Sequence, residues 1–386
     1  MIYDMIMDEL NHREVYLYEI YAPPFIVSTA CHLFNIFNYQ HKVYYEGGKI
    51  PHYVLHLCFT APAGFMKSFI QDQFIGDEYS ILSGTEIPTA KFTEVTSAGL
   101  VGSTDPNKWT RIAEEVPGLL DDYKYGIIAT EEFDALTLAS KKDYNSNLEH
   151  HLLTVLDKGV YYKRTKYGEK KDKVFTTFWV ANQPERQVDV SSGIARRFLH
   201  LLYVPTPQEF DVFSEKWWSQ KNVKPSDSLV VIRDRLNNFR NLLKLIRRVE
   251  FDDSVKRFYD KHELVPHECI LLDRYILGYT IARYGVDETL VLTVDDKDLK
   301  GQLERLITWR EQITFGADLI QLYYIIRSAN NEGIEIRKLY RLITKLNLKV
   351  DNVNKYLTKL RQLGFIKVAG GKVYLQEDLW KDKDHQ

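Results

Sequence analysis

Cysteine is scarce in this chain of 386 residues. Cys31, Cys58 and Cys269 are too widely spaced to form a disulfide framework or a metal-ligand cluster, which favours a reducing compartment. No signal peptide is visible, and no apolar run approaches the roughly 20 residues that span a bilayer. We therefore expect a soluble, intracellular, cytoplasmic protein without a membrane partner.

Excess charge of either sign is also lacking. With 51 Lys and Arg residues against 53 Asp and Glu residues, the net charge is only −2. Any nucleic-acid binding must therefore come from local basic patches and not from a global field. A hydrophobic content of 45% and a charged content of 27% are ordinary for a globular protein, and the length allows two or more domains.

The segment Val54–Ser68 is the stretch around which the chain is organised. Its first residues are apolar and predict a buried strand, the small-residue turn Ala61–Gly64 follows, and Lys67 and Ser68 then begin an apolar helical pattern. This is the arrangement of a P-loop, in which the lysine reaches the β/γ-phosphates and the serine hydroxyl binds Mg²⁺. Ala61 and Met66 stand at the two glycine positions of that motif, and an ordinary strand-to-helix turn is the alternative.

Two later apolar runs end in polar residues. The run from Tyr125 ends in Glu131 and Glu132, which is typical of a Walker B strand: one carboxylate supports Mg²⁺ and its neighbour polarises the attacking water. A buried strand capped by solvated acids is the alternative. The next run, Val174–Pro184, ends near Asn182, whose spacing suits a hydrogen bond to the γ-phosphate or to the attacking water.

Arg196 and Arg197 precede another apolar strand, Leu199–Val204. The pair predicts either a structural ion pair or a group that stabilises phosphate charge in a neighbouring subunit.

The segment Tyr161–Lys173 predicts a basic β-hairpin with Tyr167 and Gly168 at or near its tip. Six basic residues lie among aromatic residues and few acids, a composition typical of a phosphate-contacting loop. A solvated hairpin without a ligand is the alternative. The candidate DNA contacts are Lys163, Arg164, Lys166, Lys170 and Lys171.

The remaining chain is mostly helical. We predict an α-helical lid up to Phe315, with helices Leu229–Val249, Leu271–Tyr284 and Leu299–Gln312. Beyond Gly316, three amphipathic patterns and two short strands around Gly370-Gly371 predict a winged helix-turn-helix. This region has 13 Lys and Arg residues against 8 Asp and Glu residues, an excess of five that favours DNA binding over a protein-binding winged helix. The third helix would expose Asn352, Asn354, Lys355, Lys359 and Arg361.

In order and spacing, these motifs resemble the ATPase core of the minichromosome maintenance (MCM) replicative helicases, a clade of AAA+ proteins. Ala61–Ser68 resembles the family's P-loop Gly-Asp-Pro-Gly-x-Ala-Lys-Ser, and Glu131–Leu136 resembles its Asp-Glu-Phe-Asp-Lys-Met. Thr96–Val101 resembles the Ser-Ser-x-x-Gly-Leu-Thr segment that begins the helix-2 insert. Val180–Pro184 resembles Ala-Ala-Asn-Pro, and Arg196–Leu199 resembles Ser-Arg-Phe-Asp.

The resemblance implies an α/β fold: an AAA+ P-loop NTPase core with an α-helical lid, followed by a winged helix-turn-helix. The implied division is a helical lead-in over 1–53, the core over 54–205, the lid over 206–315 and the winged helix over 316–386. It implies ATP and Mg²⁺ as cofactors and a homo-oligomeric ring, a hexamer, that translocates on or unwinds DNA in replication. The implied roles are ATP binding by Gly64, Lys67, Ser68 and Glu131, Mg²⁺ binding by Ser68 and Glu131, catalysis by Glu132, γ-phosphate sensing by Asn182 and an arginine finger at Arg197.

Several departures from the family favour an alternative function. Glu131 replaces the Mg²⁺-binding Asp, Ala61 removes a glycine, and Gly301 stands where the sensor 2 Arg is expected. Too few residues precede the P-loop for the family's N-terminal domain, so a replication partner could take its place. The alternatives are a nucleotide-binding, hydrolysis-poor DNA-binding initiator, loader or regulator, or an AAA+ scaffold that binds no nucleotide.

Overall fold

The structure is a computed structural model. It describes residues 1–45, 53–62, 67–93, 95–106, 113–131, 148–165, 168–183, 193–205, 212–216, 224–315, 317–329, 332–345, 350–362 and 365–376. Within these ranges the chain is an α/β protein with a parallel five-stranded sheet.

The secondary-structure elements are numbered in chain order. The helices are α1 (Ile2–His12), α2 (Tyr18–His41), α3 (Lys67–Phe74), α4 (Ser97–Val101), α5 (Leu119–Asp122), α6 (Leu148–Lys158), α7 (Ser228–Leu243), α8 (Asp253–Lys261), α9 (Pro266–Arg283), α10 (Lys297–Phe315), α11 (Ala317–Arg327), α12 (Ile336–Lys345) and α13 (Val350–Gln362). The strands are β1 (Tyr44–Tyr45), β2 (His56–Thr60), β3 (Thr89–Phe92), β4 (Ser103–Pro106), β5 (Ala113–Val116), β6 (Ile127–Thr130), β7 (Val160–Thr165), β8 (Gly168–Lys173), β9 (Thr177–Asn182), β10 (Phe198–Leu202), β11 (Arg248–Phe251), β12 (Thr289–Leu292), β13 (Ile334–Glu335), β14 (Ile366–Ala369) and β15 (Lys372–Leu375).

The central sheet has the strand order β10-β2-β9-β6-β3, with every neighbouring pair parallel. Strands β2, β6, β9 and β10 are buried along their whole length, as a parallel sheet covered on both faces requires. Counted along the chain, the five strands lie in the order 5-1-4-3-2. The connections that follow β2 and β9 therefore leave in opposite directions, and the carboxyl ends of these two strands form the topological switch point of the sheet.

Helix α2 belongs to the main core, although the sequence predicts only an amphipathic lead-in there. Every residue from Tyr21 to Phe37 is buried, because the helix is apolar on all sides and is covered by the sheet and by α9. By length and composition α2 could also cross a membrane, contrary to the sequence-based expectation. However, 94% of its most apolar stretch is buried inside the protein, as in the core helix of a soluble protein.

Two polar side chains of α2 attach it to the sheet. Ser28 Oγ donates to the carbonyl oxygen of Leu55 at 2.6 Å and accepts from Trp179 Nε1 at 2.8 Å. His32 Nε2 lies 3.0 Å from the carbonyl oxygen of Tyr125, and His32 Nδ1 lies 2.9 Å from Thr177 Oγ1. Because a carbonyl can only accept, Nε2 carries the hydrogen and Nδ1 accepts from the threonine hydroxyl. These bonds fix the helix against β2, β6 and β9.

The predicted lid contains strands as well as helices. The helix expected over Leu229–Val249 ends at Leu243, and Arg248–Phe251 instead forms β11. Strand β11 pairs in parallel with β1 and with β12. Strand β12 lies between the predicted helices Leu271–Tyr284 and Leu299–Gln312, where the sequence analysis predicts no element. Side chains alternate between exposed and buried along β12, so one face of the strand, with Leu290 and Leu292, lies in the core.

The C-terminal unit has a three-stranded sheet. Its elements follow in the order α11, β13, α12, α13, β14 and β15, and the three strands form an antiparallel sheet in the order β13-β15-β14. Its buried side chains belong to the same hydrophobic cluster as the main core and include Leu339, Ile343, Val353, Leu360, Ile366 and Val373. The two strands and the turn at Gly370-Gly371 agree with the hairpin expected from the sequence.

The close approach of α2 and α9 depends on Gly278. A Cβ atom there would lie 2.5 Å from Cys31 Sγ and 2.6 Å from the carbonyl oxygen of Val27. We expect Gly278→Ala to lower the free energy of unfolding by on the order of 2 kcal/mol, because the two helices must separate. Gly301→Ala is the matched control, since nothing lies within 4 Å of its Cβ position and alanine favours the helix by about 0.5–1 kcal/mol. Urea denaturation of both variants measures the difference; equal midpoints would contradict this account of the packing.

The buried His32 makes stability depend on pH. Burial lowers its pKa from 6.5 to about 4, so the folded state holds the ring neutral while the unfolded state protonates it first. The stabilisation is complete above pH 6.5 and is lost as the pH falls towards 4, by up to about 3 kcal/mol. We expect the free energy of unfolding to fall less steeply between pH 7 and pH 5 in His32→Gln than in the wild type. His150→Gln, at an exposed histidine, is the control and should keep the wild-type slope.

Candidate functional site

Polar residues end three adjacent strands at the carboxyl edge of the sheet. Thr60 ends β2, Thr130 ends β6 and Asn182 ends β9, and all three side chains are buried. Thr60 pairs with Asn182. Thr130 pairs with Val180, which lies two residues before Asn182 in β9. The predicted residue Asn182 therefore lies at the topological switch point, where open α/β sheets bind their ligands.

Lys67 lies beside this edge as the first residue of α3. Its side chain is buried, and its Nζ donates to the carbonyl oxygens of Ala61 and Pro62, the latter at 3.0 Å. A buried ammonium is costly unless polar groups surround it, and the turn after β2 supplies them. Ser68 follows in the first helical turn and is half-buried. Gly64 lies outside the described residues.

Thr60 was not predicted as a site residue. Its Oγ1 is buried and has no hydrogen-bond partner in the described part of the chain. Its carbonyl oxygen accepts from Tyr203 N at 2.9 Å, and the neighbouring Ala61 N donates to the carbonyl oxygen of Asn182 at 3.2 Å. A buried hydroxyl normally has a partner, so this group next to Lys67 fits a polar ligand such as a phosphate. The sequence signal was a threonine ending an otherwise apolar strand.

The two predicted acids follow β6 directly. Glu131 comes after Thr130 at the same edge of the sheet and is exposed, whereas Glu132 lies outside the described residues. Strand β9 separates β6 from β2, so the carboxyl ends of β6 and β2 lie two strand spacings, about 10 Å, apart. Within the described ranges, no three His, Cys, Asp or Glu residues could together hold a metal.

Arg197 lies at the opposite edge. It ends the 3₁₀ turn Ala195–Arg197 at the amino end of β10, whose five residues span about 16 Å. Its guanidinium forms an ion pair with Asp157 at 3.1 Å and donates to the carbonyl oxygen of Gly193. Arg197 therefore does not reach the switch point of its own chain. The neighbouring Arg196 is exposed.

The basic hairpin is present as the antiparallel pair β7 and β8. Thr165 pairs with Gly168, which puts the tip next to the predicted position, and Tyr162 pairs with Lys171. Lys171 is exposed. Lys166 lies outside the described residues, as do the side chains of Lys163, Arg164 and Lys170.

Helix α13 has one apolar and one polar face. The buried face carries Val353, Leu357 and Leu360. The exposed face carries the predicted DNA contacts Asn354, Lys355 and Lys359, together with Arg361. Asn354 Oδ1 accepts from Tyr340 Oη of α12 at 2.8 Å, which fixes its orientation. The side chain of Asn352 lies outside the described ones.

Comparison with known proteins gives no relative for this chain. No protein-family model matches it, and no curated protein matches it. The inference of function therefore depends on the sheet edge, the hairpin and the C-terminal unit.

Proposed function

We propose that the chain is a P-loop ATPase of the AAA+ class, similar to the MCM helicases. It would bind ATP and Mg²⁺, assemble as a hexameric ring in the cytoplasm and couple hydrolysis to translocation on DNA or to its unwinding. The observation that carries the proposal is the position of Lys67 and Asn182 at the switch point of a parallel sheet. The 5-1-4-3-2 strand order also fits the AAA+ core that the sequence resembles.

The residues at the sheet edge fit a magnesium-bound triphosphate. Lys67 and the predicted contact Gly64 would bind the phosphates, and the buried hydroxyl of Thr60, which has no hydrogen-bond partner among the described residues, would gain one. Ser68 and Glu131 would hold Mg²⁺. The bound nucleotide supplies the phosphoryl group for transfer. Asn182 would orient the water or the γ-phosphate, and Glu132 would polarise the water.

The position of Arg197 supports an oligomer. The amino end of β10 lies on the far edge of the sheet from Lys67, so this guanidinium can meet a nucleotide only in a neighbouring subunit. In that position the Arg197 guanidinium would leave Asp157 and bind phosphate oxygens, which can accept two parallel hydrogen bonds from an arginine. Each site would then combine residues of two chains.

Two regions support DNA binding. The order helix, strand, helix, helix, strand, strand in the C-terminal unit fits a winged helix-turn-helix, with α13 as the helix that presents Lys355 and Lys359. The hairpin β7–β8 projects further basic residues, including Lys171. Both would contact phosphates, so binding should weaken as salt rises.

A second candidate is a nucleotide-binding, hydrolysis-poor initiator, loader or regulator. Gly301, at the position of the expected sensor 2 arginine, lies in the first turns of α10 and is exposed, with no atom within 4 Å of its Cβ position. Position 301 therefore offers no side chain for a phosphate. Such a protein would bind ATP and DNA but turn over no faster than a Glu132→Gln variant.

Mixed subunits distinguish a composite site from one within a single chain. We expect Lys67→Ala and Arg197→Ala each to reduce DNA-stimulated ATP hydrolysis by about 10³-fold or more, because one lacks the phosphate-binding lysine and the other the arginine supplied in trans. Mixing the two variants should restore a substantial fraction of activity, since an intact Lys67 can then face an intact Arg197. Steady-state hydrolysis with and without single-stranded DNA measures this.

Asp157→Ala controls for the structural role of Arg197, because it breaks the same ion pair and keeps the arginine. It should retain hydrolysis. If Asp157→Ala is as inactive as Arg197→Ala, or if mixing restores nothing, the composite site is wrong.

A further inference from the structure

An exposed aromatic cluster lies at the base of the basic hairpin. Tyr39 comes from the end of α2, Tyr125 precedes β6 and Phe175 precedes β9; we call these three residues the aromatic platform. The rings of Tyr125 and Phe175 stack with centroids 5.3 Å apart and planes 8° apart. Tyr39 packs against Phe175 at 4.9 Å with a tilt of 53°. The three rings form one continuous surface.

The outer rings of the platform face solvent. Phe175 is buried, but Tyr39 is 50% exposed and Tyr125 is 42% exposed. Because one face of Tyr125 lies on Phe175, its exposed area is largely the opposite face. Adjacent aromatic rings that are about half exposed are typical of an interaction surface.

Cations border the platform. Lys173, the last residue of β8, holds its Nζ 3.7 Å from the centroid of Tyr39. Lys124 Nζ lies 5.9 Å from the centroid of Tyr125 and is paired with Asp172 at 2.7 Å. Two residues nearer the hairpin tip, Lys171 is exposed. It pairs with Tyr162 of β7, which is itself 48% exposed. Aromatic and cationic side chains therefore alternate from the platform up the hairpin.

The platform is rigid. His32 Nε2 donates to the carbonyl oxygen of Tyr125 at 3.0 Å and its other ring nitrogen bonds Thr177 at 2.9 Å. Phe175 N donates to the carbonyl oxygen of Lys124 at 2.8 Å. The segments that carry Tyr125 and Phe175 are thus fixed to each other and to α2, which limits the entropy lost on binding a ligand.

We propose that the aromatic platform binds the bases of a single-stranded nucleic acid, while Lys171 and Lys173 contact its phosphates. Stacked aromatic rings beside a basic strand are the combination that binds single strands without sequence preference. A duplex does not fit, because its base faces are already stacked on one another. The inference deepens the proposed function, on which it rests: it names a single strand as the substrate at the hairpin.

The test compares bases with phosphates alone. Fluorescence anisotropy measures the Kd of the full-length chain for a labelled oligothymidylate and for an abasic oligonucleotide of the same length. We expect the wild type to bind the oligothymidylate about tenfold more tightly. Tyr39→Leu and Tyr125→Leu keep an apolar side chain but remove the ring, and should bring the two Kd values together. Lys171→Ala should weaken both by a similar factor.

Tyr79→Leu is the matched control. Tyr79 is 52% exposed, but it follows Asp77 and Glu78 and lies outside the platform, so its replacement should leave both Kd values unchanged. Thermal unfolding of each variant checks that the fold is retained, because Tyr39 and Tyr125 are only about half exposed and pack on Phe175.

Three outcomes would overturn the proposal. Equal wild-type Kd values for the two oligonucleotides, or an unchanged ratio in the tyrosine variants, would overturn the platform while leaving DNA binding intact. Loss of oligomers in the tyrosine variants, measured by sedimentation velocity, would assign the surface to a second copy of the chain instead. Absence of binding to either oligonucleotide would overturn both the platform and the DNA-binding part of the proposed function.

Discussion

Burial of helix α2 is the constraint on which the rest of the structure depends. The helix is apolar on all sides, so it is stable only where other elements cover it completely. The sheet covers one side through Ser28 and His32, and α9 covers another where Gly278 lets the backbones approach. Cys31 Sγ adds a bond to the carbonyl oxygen of Arg274, whose guanidinium in turn donates to Val54 at 2.9 Å. Helix α2 thus holds the sheet and helix α9 together.

This arrangement gives the two edges of the sheet different chemistry. At the carboxyl edge, the ends of β2 and β9 bring Thr60, Asn182 and Lys67 together in a buried polar site. At the amino edge lie Arg197, the base of the hairpin and the aromatic platform. Under the proposed function, a nucleotide and a nucleic-acid strand would bind at opposite edges, and in a ring the arginine of one subunit would face the nucleotide of the next.

Local patterns predicted strands β2, β6, β9 and β10 and the hairpin β7–β8, because buried strands and charge-rich turns have short-range signals. They did not predict the burial of α2: the few polar residues in this otherwise apolar helix, such as Ser28 and His32, find their partners Leu55 and Tyr125 only in the folded chain. They also extended α7 past Leu243, since β11 forms only through pairing with β1 and β12, far away in sequence. The ion pair of Arg197 with Asp157 and the burial of the Thr60 hydroxyl also depend on residues that are far apart in sequence, so local patterns did not predict them.

The central claim is that the carboxyl edge of the sheet binds a nucleotide. Thermal unfolding of the wild type and of Lys67→Ala in the presence of increasing Mg²⁺ and ATP tests it most directly. A ligand that binds only the folded state stabilises it by about 2.7 kcal/mol at a concentration of 100 Kd. We expect a saturable rise in Tm for the wild type and none for Lys67→Ala. An unchanged wild-type Tm, or an equal rise in both proteins, would contradict the assignment of this edge as the nucleotide site.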